Sequence, residues 1–174
     1  MNAESLAKNI RVLVLDVDGV LTDGGLHYDS EGKISKRFNV QDGLGIKLAQ
    51  AAGLEIAVIS GLDSKAVESR VRELEIEPYY AGRLEKIPLL DEIRAAKGLE
   101  YSHLAYMGDD WVDAGPMRVV GLPMTVADAQ PEIKDMAVWV SKAQGGHGAV
   151  REAINFILKA QGKLDKLWRE WDKG

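Results

Sequence analysis

Hydrophobic positions along the chain fall into two textures: short unbroken apolar runs, and longer stretches where apolar residues recur every three or four positions. Val12-Leu13-Val14-Leu15 is the first unbroken run, and two of its four residues are β-branched. Nothing polar alternates within it, which is the texture of a strand buried on both faces of a parallel sheet. Glu55 to Ile59, His103 to Met107, Leu122 to Val126 and Val138 to Val140 repeat the texture, and Pro78 to Gly82 holds a shorter strand. Helical spacing fills the gaps. Asp42 to Ala52 carries Leu44, Ile46 and Leu48 and stops at Gly53, and Asp63 stands where it could cap a helix bearing Val67, Val71 and Leu74. Leu84 to Ala96 has Ile87, Leu89, Leu90 and Ile93 on its apolar face, with Pro88 tolerable only in the first turn and Gly98 as terminator. Val112 to Arg118 and Pro131 to Met136 are short helices, and a long one starts near Ala149, with Leu167, Trp168 and Trp171 beyond Gly162. Strands alternating with helices predict an α/β fold: a doubly wound, mainly parallel, Rossmann-like sheet.

One segment breaks the rhythm. Leu26 to Tyr28 and Ile34 to Phe38 flank the turn-rich Asp29-Ser30-Glu31-Gly32, which reads as a β-hairpin inserted after the first strand, over about residues 25–38. The rest of the interval from Asp18 to Ser60 is taken by one helix and one strand, and Ser60 to Asp109 by ordinary sheet units, so no cap domain fits. The 174 residues, 46% of them hydrophobic, suit one domain over 1–174, with a C-terminal helix and tail from about 149. A formal charge of -5 without a long Lys/Arg run argues against nucleic acid as a partner, and the absence of cysteine excludes disulfides and thiolate metal sites. No apolar stretch has signal-peptide or membrane-spanning length, so the expectation is a cytoplasmic protein with no membrane partner.

The first apolar run ends in Asp16-Val17-Asp18-Gly19. Ligands of open α/β sheets bind beyond the carboxyl ends of the strands, so both carboxylates belong to that edge. Three further strand ends deliver polar groups there: Ser60-Gly61, Lys86 at the start of the helix after the third strand, and Asp109-Asp110. Each has an ordinary alternative, as a turn residue, a solvated lysine or a helix cap. Their convergence on one edge meets the needs of phosphoryl transfer. Asp16 is the nucleophile, Mg²⁺ and Lys86 neutralise the non-bridging oxygens, Ser60 and nearby backbone N–H groups such as that of Gly61 donate to them, and Asp109 completes the metal site. Asp18 is near enough to move a proton.

In this order the motifs resemble the haloacid-dehalogenase-like phosphohydrolases. The likeness extends to the branch acting on eight-carbon sugar-acid phosphates, through Asp16 to Gly24, Phe38-Asn39-Val40-Gln41-Asp42-Gly43-Leu44-Gly45-Ile46 and Gly145-Gly146-His147-Gly148-Ala149-Val150-Arg151-Glu152. The resemblance implies a Mg²⁺-dependent phosphomonoesterase forming an aspartyl-phosphate. Its implied substrate is a small sugar-acid phosphate, 3-deoxy-D-manno-octulosonate 8-phosphate ahead of a nine-carbon acid, in lipopolysaccharide precursor synthesis. It further implies that Asp18 is general acid/base and ligates metal through its backbone carbonyl, that Asp109 ligates metal, and that Asp110 and Asp113 support the metal shell. It also implies a homotetramer in which the hairpins assemble and a neighbour covers each site, with the glycine-rich tail able to enter a site and His147 and Arg151 as substrate contacts. The chain departs from the family in carrying Leu62 and His147 where arginine is common. Receiver-type signalling domains share the aspartate, hydroxyl and lysine set, but Asp18, able to activate water, favours turnover over storage of the phosphoryl group. A non-catalytic regulatory module is disfavoured because every expected catalytic residue is present.

Overall fold

The computed structural model describes residues 2–172. In chain order its elements are α1 (Ala3–Ala7), β1 (Val12–Leu15), β2 (His27–Tyr28), β3 (Ile34–Ser35), α2 (Val40–Ala51), β4 (Glu55–Ile59), α3 (Lys65–Glu73), β5 (Tyr79–Tyr80) and α4 (Ile87–Lys97), followed by β6 (Leu104–Gly108), α5 (Ala114–Val119), β7 (Leu122–Thr125), α6 (Pro131–Met136), β8 (Trp139–Val140), α7 (Ala149–Ala160) and α8 (Leu164–Trp171). Six strands form one parallel sheet in the order β5-β4-β1-β6-β7-β8, and β2 and β3 pair antiparallel by themselves. The chain runs from β1 outward through β4 to β5, then returns to the other side of β1 with β6. That reversal creates a crevice at the carboxyl end of β1, and right-handed crossovers place the helices of the two halves on opposite faces.

The central strands are dry. All of Val12–Leu15 and all of Leu104–Gly108 are buried, which is why neither strand alternates apolar with polar residues. Helices α1, α2 and α7 pack together over one part of the sheet, and α4, α5 and α6 over another. No helix among the described residues is long and apolar enough to cross a membrane.

Local differences from the sequence reading each have a physical reason. Helix α2 starts at Val40 because Asn39 caps it, its side chain accepting from the Gln41 amide at 2.7 Å. Asp42 is thereby freed for a different helix: its carboxylate accepts from the Arg151 amide at 2.8 Å and the Gly148 amide at 3.3 Å, capping α7 from across the fold. Asp63 caps nothing; α3 begins after Ser64, whose side chain makes no capping bond. The helix expected over 112–118 is split, because Asp110 and Asp113 cap a 3₁₀ turn at Trp111–Asp113 reciprocally before α5 begins. In the hairpin only two residues pair on each limb, and its base is closed by a bridge between Thr22 and Phe38. Helix α1 is an element that the hydrophobic pattern did not predict.

Candidate active site

The crevice at the end of β1 holds a cavity of about 300 Å³, lined among others by Asp16, Asp18, Gly61, Lys86, Asp109 and Asp110. A larger groove of about 740 Å³ lies beside β5, between α3 and α4, away from these residues. The carboxylates and the buried lysine gather at the smaller one.

Lys86 is the N-cap residue of α4 and is buried at 2% exposure. Its ammonium lies 2.9 Å from Asp16 Oδ1, 2.6 Å from Asp113 Oδ1 and 3.0 Å from the Tyr106 hydroxyl, so each of its three protons has a partner. Burial works against its charge, but Asp16 and Asp113 outweigh that, and the Lys86 pKa is held above the ordinary lysine value. The result is a fixed positive charge beside Asp16. Asp113, wholly buried, organises the surroundings: Oδ1 accepts from Lys86 and from the Tyr106 hydroxyl at 2.6 Å, and Oδ2 accepts from the backbone amides of Asp109 at 2.9 Å and Asp110 at 3.3 Å.

Asp16, Asp109 and Asp113 each bring one oxygen within 4.8 Å of the others. This crowding fits a cation. Asp109 Oδ1 is buried with no hydrogen-bond partner. Desolvation followed by the Asp113 charge pushes Asp16 up to about 7 despite Lys86, and desolvation followed by Asp16, Asp113 and Asp110 pushes Asp109 up to about 8. Asp113 has all four acceptor positions filled by protein donors, so Asp16 and Asp109 are the carboxylates left to face a metal. Gly19 makes the approach possible: its φ is +82°, and a Cβ there would lie 2.0 Å from Asp109 Oδ2.

These shifts set a pH dependence. From about pH 4, where unfolded aspartate ionises, up to about 7 to 8, the folded metal-free protein retains protons that the unfolded chain has lost, so stability falls as pH rises. A cation that replaces those protons removes the penalty. The rise in thermal midpoint on adding Mg²⁺ is therefore expected to be larger at pH 8 than at pH 5.5. Equal rises at both would mean that Asp16 and Asp109 do not form the cation site.

The remaining predicted residues lie as follows. Asp18 lines the cavity and is paired with Lys36. Asp110 faces the 3₁₀ turn, its carboxylate accepting from the Trp111 amide at 2.7 Å. Ser60 is buried, and its hydroxyl donates to the Leu62 carbonyl at 2.9 Å, holding the Gly61-Leu62 turn instead of pointing a proton into the cavity. The glycine-rich tail packs against its own chain beside Gly19, which lines the cavity. A Cβ at Gly145 would meet the Gly19 carbonyl at 1.8 Å, so the two backbones touch as only glycine allows. His147 lies 3.4 Å from an Arg37 nitrogen, and the Arg151 side chain donates to Asn155 at 3.1 Å; neither lines the cavity. Tyr106 and Lys36 are site neighbours that the sequence reading missed.

A parallel sheet whose central strand ends in an aspartate pair, joined by a buried lysine and an acidic cluster, defines a phosphohydrolase of the haloacid-dehalogenase superfamily. No protein-family profile matches the chain. The 3-deoxy-D-manno-octulosonate 8-phosphate phosphatase KdsC of Escherichia coli strain K12 is 42% identical over 160 residues, spanning 92% of this chain and 85% of that protein. The crystal structure of 3-deoxy-D-manno-octulosonate 8-phosphate phosphatase from Moraxella catarrhalis, in complex with magnesium ion, phosphate ion and a KDO molecule, superimposes with a TM-score of 0.95 at 36% identity, covering 97% of each chain. The cobalt-bound phosphatase of Haemophilus influenzae gives a TM-score of 0.88 at 42% identity, covering 91% of this chain and 93% of that one. The chain belongs to the 3-deoxy-D-manno-octulosonate 8-phosphate phosphatase family.

Proposed function

We propose that this chain is a Mg²⁺-dependent phosphomonoesterase that releases phosphate from 3-deoxy-D-manno-octulosonate 8-phosphate, as the names of its relatives imply. The observation that carries the residue assignment is the buried Lys86–Asp16 pair at 2.9 Å beside the partnerless Asp109 oxygen. Asp16, Asp109 and the Asp18 backbone carbonyl hold the Mg²⁺, which when bound neutralises charge on the phosphoryl oxygens. Asp16 attacks phosphorus as the bond to the sugar oxygen breaks, and Asp18 gives that oxygen its proton. Asp18 then takes a proton from water, which displaces Asp16 and frees phosphate. Lys86, held by three partners, steadies the transferring group without having to reorganise. The Gly61 amide is the donor that the turn held by Ser60 presents to the phosphate.

The working unit is a homotetramer. Leu62, Leu84 and Val112 line the cavity and are exposed at 46%, 66% and 44%, an apolar rim that a second copy of the chain would cover. The hairpin carries Leu26, Tyr28 and Ile34 exposed, a second apolar surface for the same assembly. The enzyme acts in the cytoplasm on a precursor of lipopolysaccharide. The test is phosphate release from a panel of sugar-acid and simple sugar phosphates, with Mg²⁺ and with chelator, on protein whose mass is measured by light scattering. Mg²⁺-dependent preference for the eight-carbon ester by a four-chain species is expected. No release from any sugar-acid phosphate would overturn the substrate reading, and a fully active single chain would overturn the assembly.

A further inference from the structure

The hairpin does more than present an apolar surface. Its return limb sends the side chain of Lys36 inward until none of it is exposed, and the ammonium ends 2.5 Å from Asp18 Oδ1. Its neighbours behave differently: the side chains of Lys33 and Arg37 are 74% and 51% exposed. Burying a lysine with a single ionic partner is costly unless the contact is kept, so this pair is a fixed feature of the fold. The Thr22–Phe38 bridge clamps the hairpin base to the loop that carries Asp18, and the Thr22 hydroxyl lies 3.5 Å from the same Oδ1. Both neighbours therefore address one oxygen.

We propose that Lys36 is a positioning residue for the reaction: by holding Asp18 Oδ1, it leaves Oδ2 as the oxygen that exchanges the proton with the leaving group. The inference rests on the role given to Asp18 above. A carboxyl group free to turn about its last torsion offers two oxygens in many orientations, whereas one anchored at Oδ1 offers a single donor in a single direction. A misplaced acid costs rate only as far as the leaving oxygen needs its proton.

That dependence supplies the test. Phosphate esters of phenols graded in acidity are hydrolysed by wild type, Lys36→Met and Lys36→Arg with saturating Mg²⁺, and kcat/KM is compared between phenyl phosphate, a poor leaving group, and dinitrophenyl phosphate, a good one. The ratio of the two is expected to fall at least about tenfold in Lys36→Met. Lys36→Arg, which keeps a cation on a longer arm, recovers part of it. Since the ratio is independent of how much enzyme is folded, loss of fold can neither imitate nor hide the effect. An unchanged ratio in Lys36→Met overturns the role of Lys36 while leaving the phosphatase reading intact. A wild type without Mg²⁺-dependent ester hydrolysis overturns both.

Discussion

Asp16→Asn is expected to lower phosphate release by on the order of 10⁴-fold or more, while the metal-free protein at pH 8 melts at the same temperature as wild type or higher. The amide keeps the shape of the carboxylate but has no anionic oxygen to attack phosphorus. Its effect on stability has the opposite sign. Asp16 is 6% exposed, and burial and the Asp113 charge raise its pKa to about 7, so ionising it at pH 8 works against folding. Lys86 keeps two of its three partners, Asp113 and Tyr106, when Asp16 is neutralised. At pH 5 the native carboxyl is already protonated, and the stability gain should vanish. Steady-state phosphate release and thermal melts by circular dichroism at the two pH values check both halves. A variant that unfolds would identify Asp16 as a structural residue and not a nucleophile.

Asp113→Ala is expected to cost about 3–5 kcal/mol, the range for breaking a buried ion pair from one side. Four donors converge on this carboxylate: the Lys86 ammonium, the Tyr106 hydroxyl and the amides of Asp109 and Asp110. No water reaches the site to replace it, since Asp113 and Tyr106 are both at 0% exposure. Removing a negative charge also relieves Asp16 and Asp109, which offsets part of the loss, so the cost should be smaller at pH 8 than at pH 5. Denaturant titration measures it at each pH. A loss below about 1 kcal/mol, the scale of an exposed ion pair, would show that the network is not what holds this end of β6.

The frame of the protein was legible because its strands are buried on both faces: Val12–Leu15 cannot be mistaken for an exposed strand or an amphipathic helix. Pro88, tolerable only in a first turn, puts Lys86 at a helix start near the sheet edge, and Lys86 is the N-cap residue of α4. Less visible were groups whose role depends on partners distant in sequence. Tyr106, within an apolar strand, reads as core; its hydroxyl becomes significant only once Lys86, 20 residues away, folds beside it. Lys36 lies in a polar stretch that reads as a solvated hairpin, and its side chain turns inward to Asp18, two residues before the Thr22–Phe38 bridge. Ser60 shows the converse. Its type and position suited a phosphate donor, yet its hydroxyl bonds the carbonyl two residues on, a local option open to any serine before a turn.

The cap that Asp42 places on α7 bears on how the chain is made. Its carboxylate is satisfied by amides 106 and 109 residues further along, and the Gln161 side chain donates to carbonyls 154 and 151 residues behind it, at Ala7 and Ile10. Ala7 also has a local partner in the Ile10 amide, so until α7 has been synthesised it is the Asp42 carboxylate and the Ile10 carbonyl that lack the partners they have in the fold. Contacts of such sequence separation impose a large loop-closure entropy before they return any stabilisation. The nascent chain consequently emerges with its first half incomplete, and these contacts close only once α7 and Gln161 have left the ribosome.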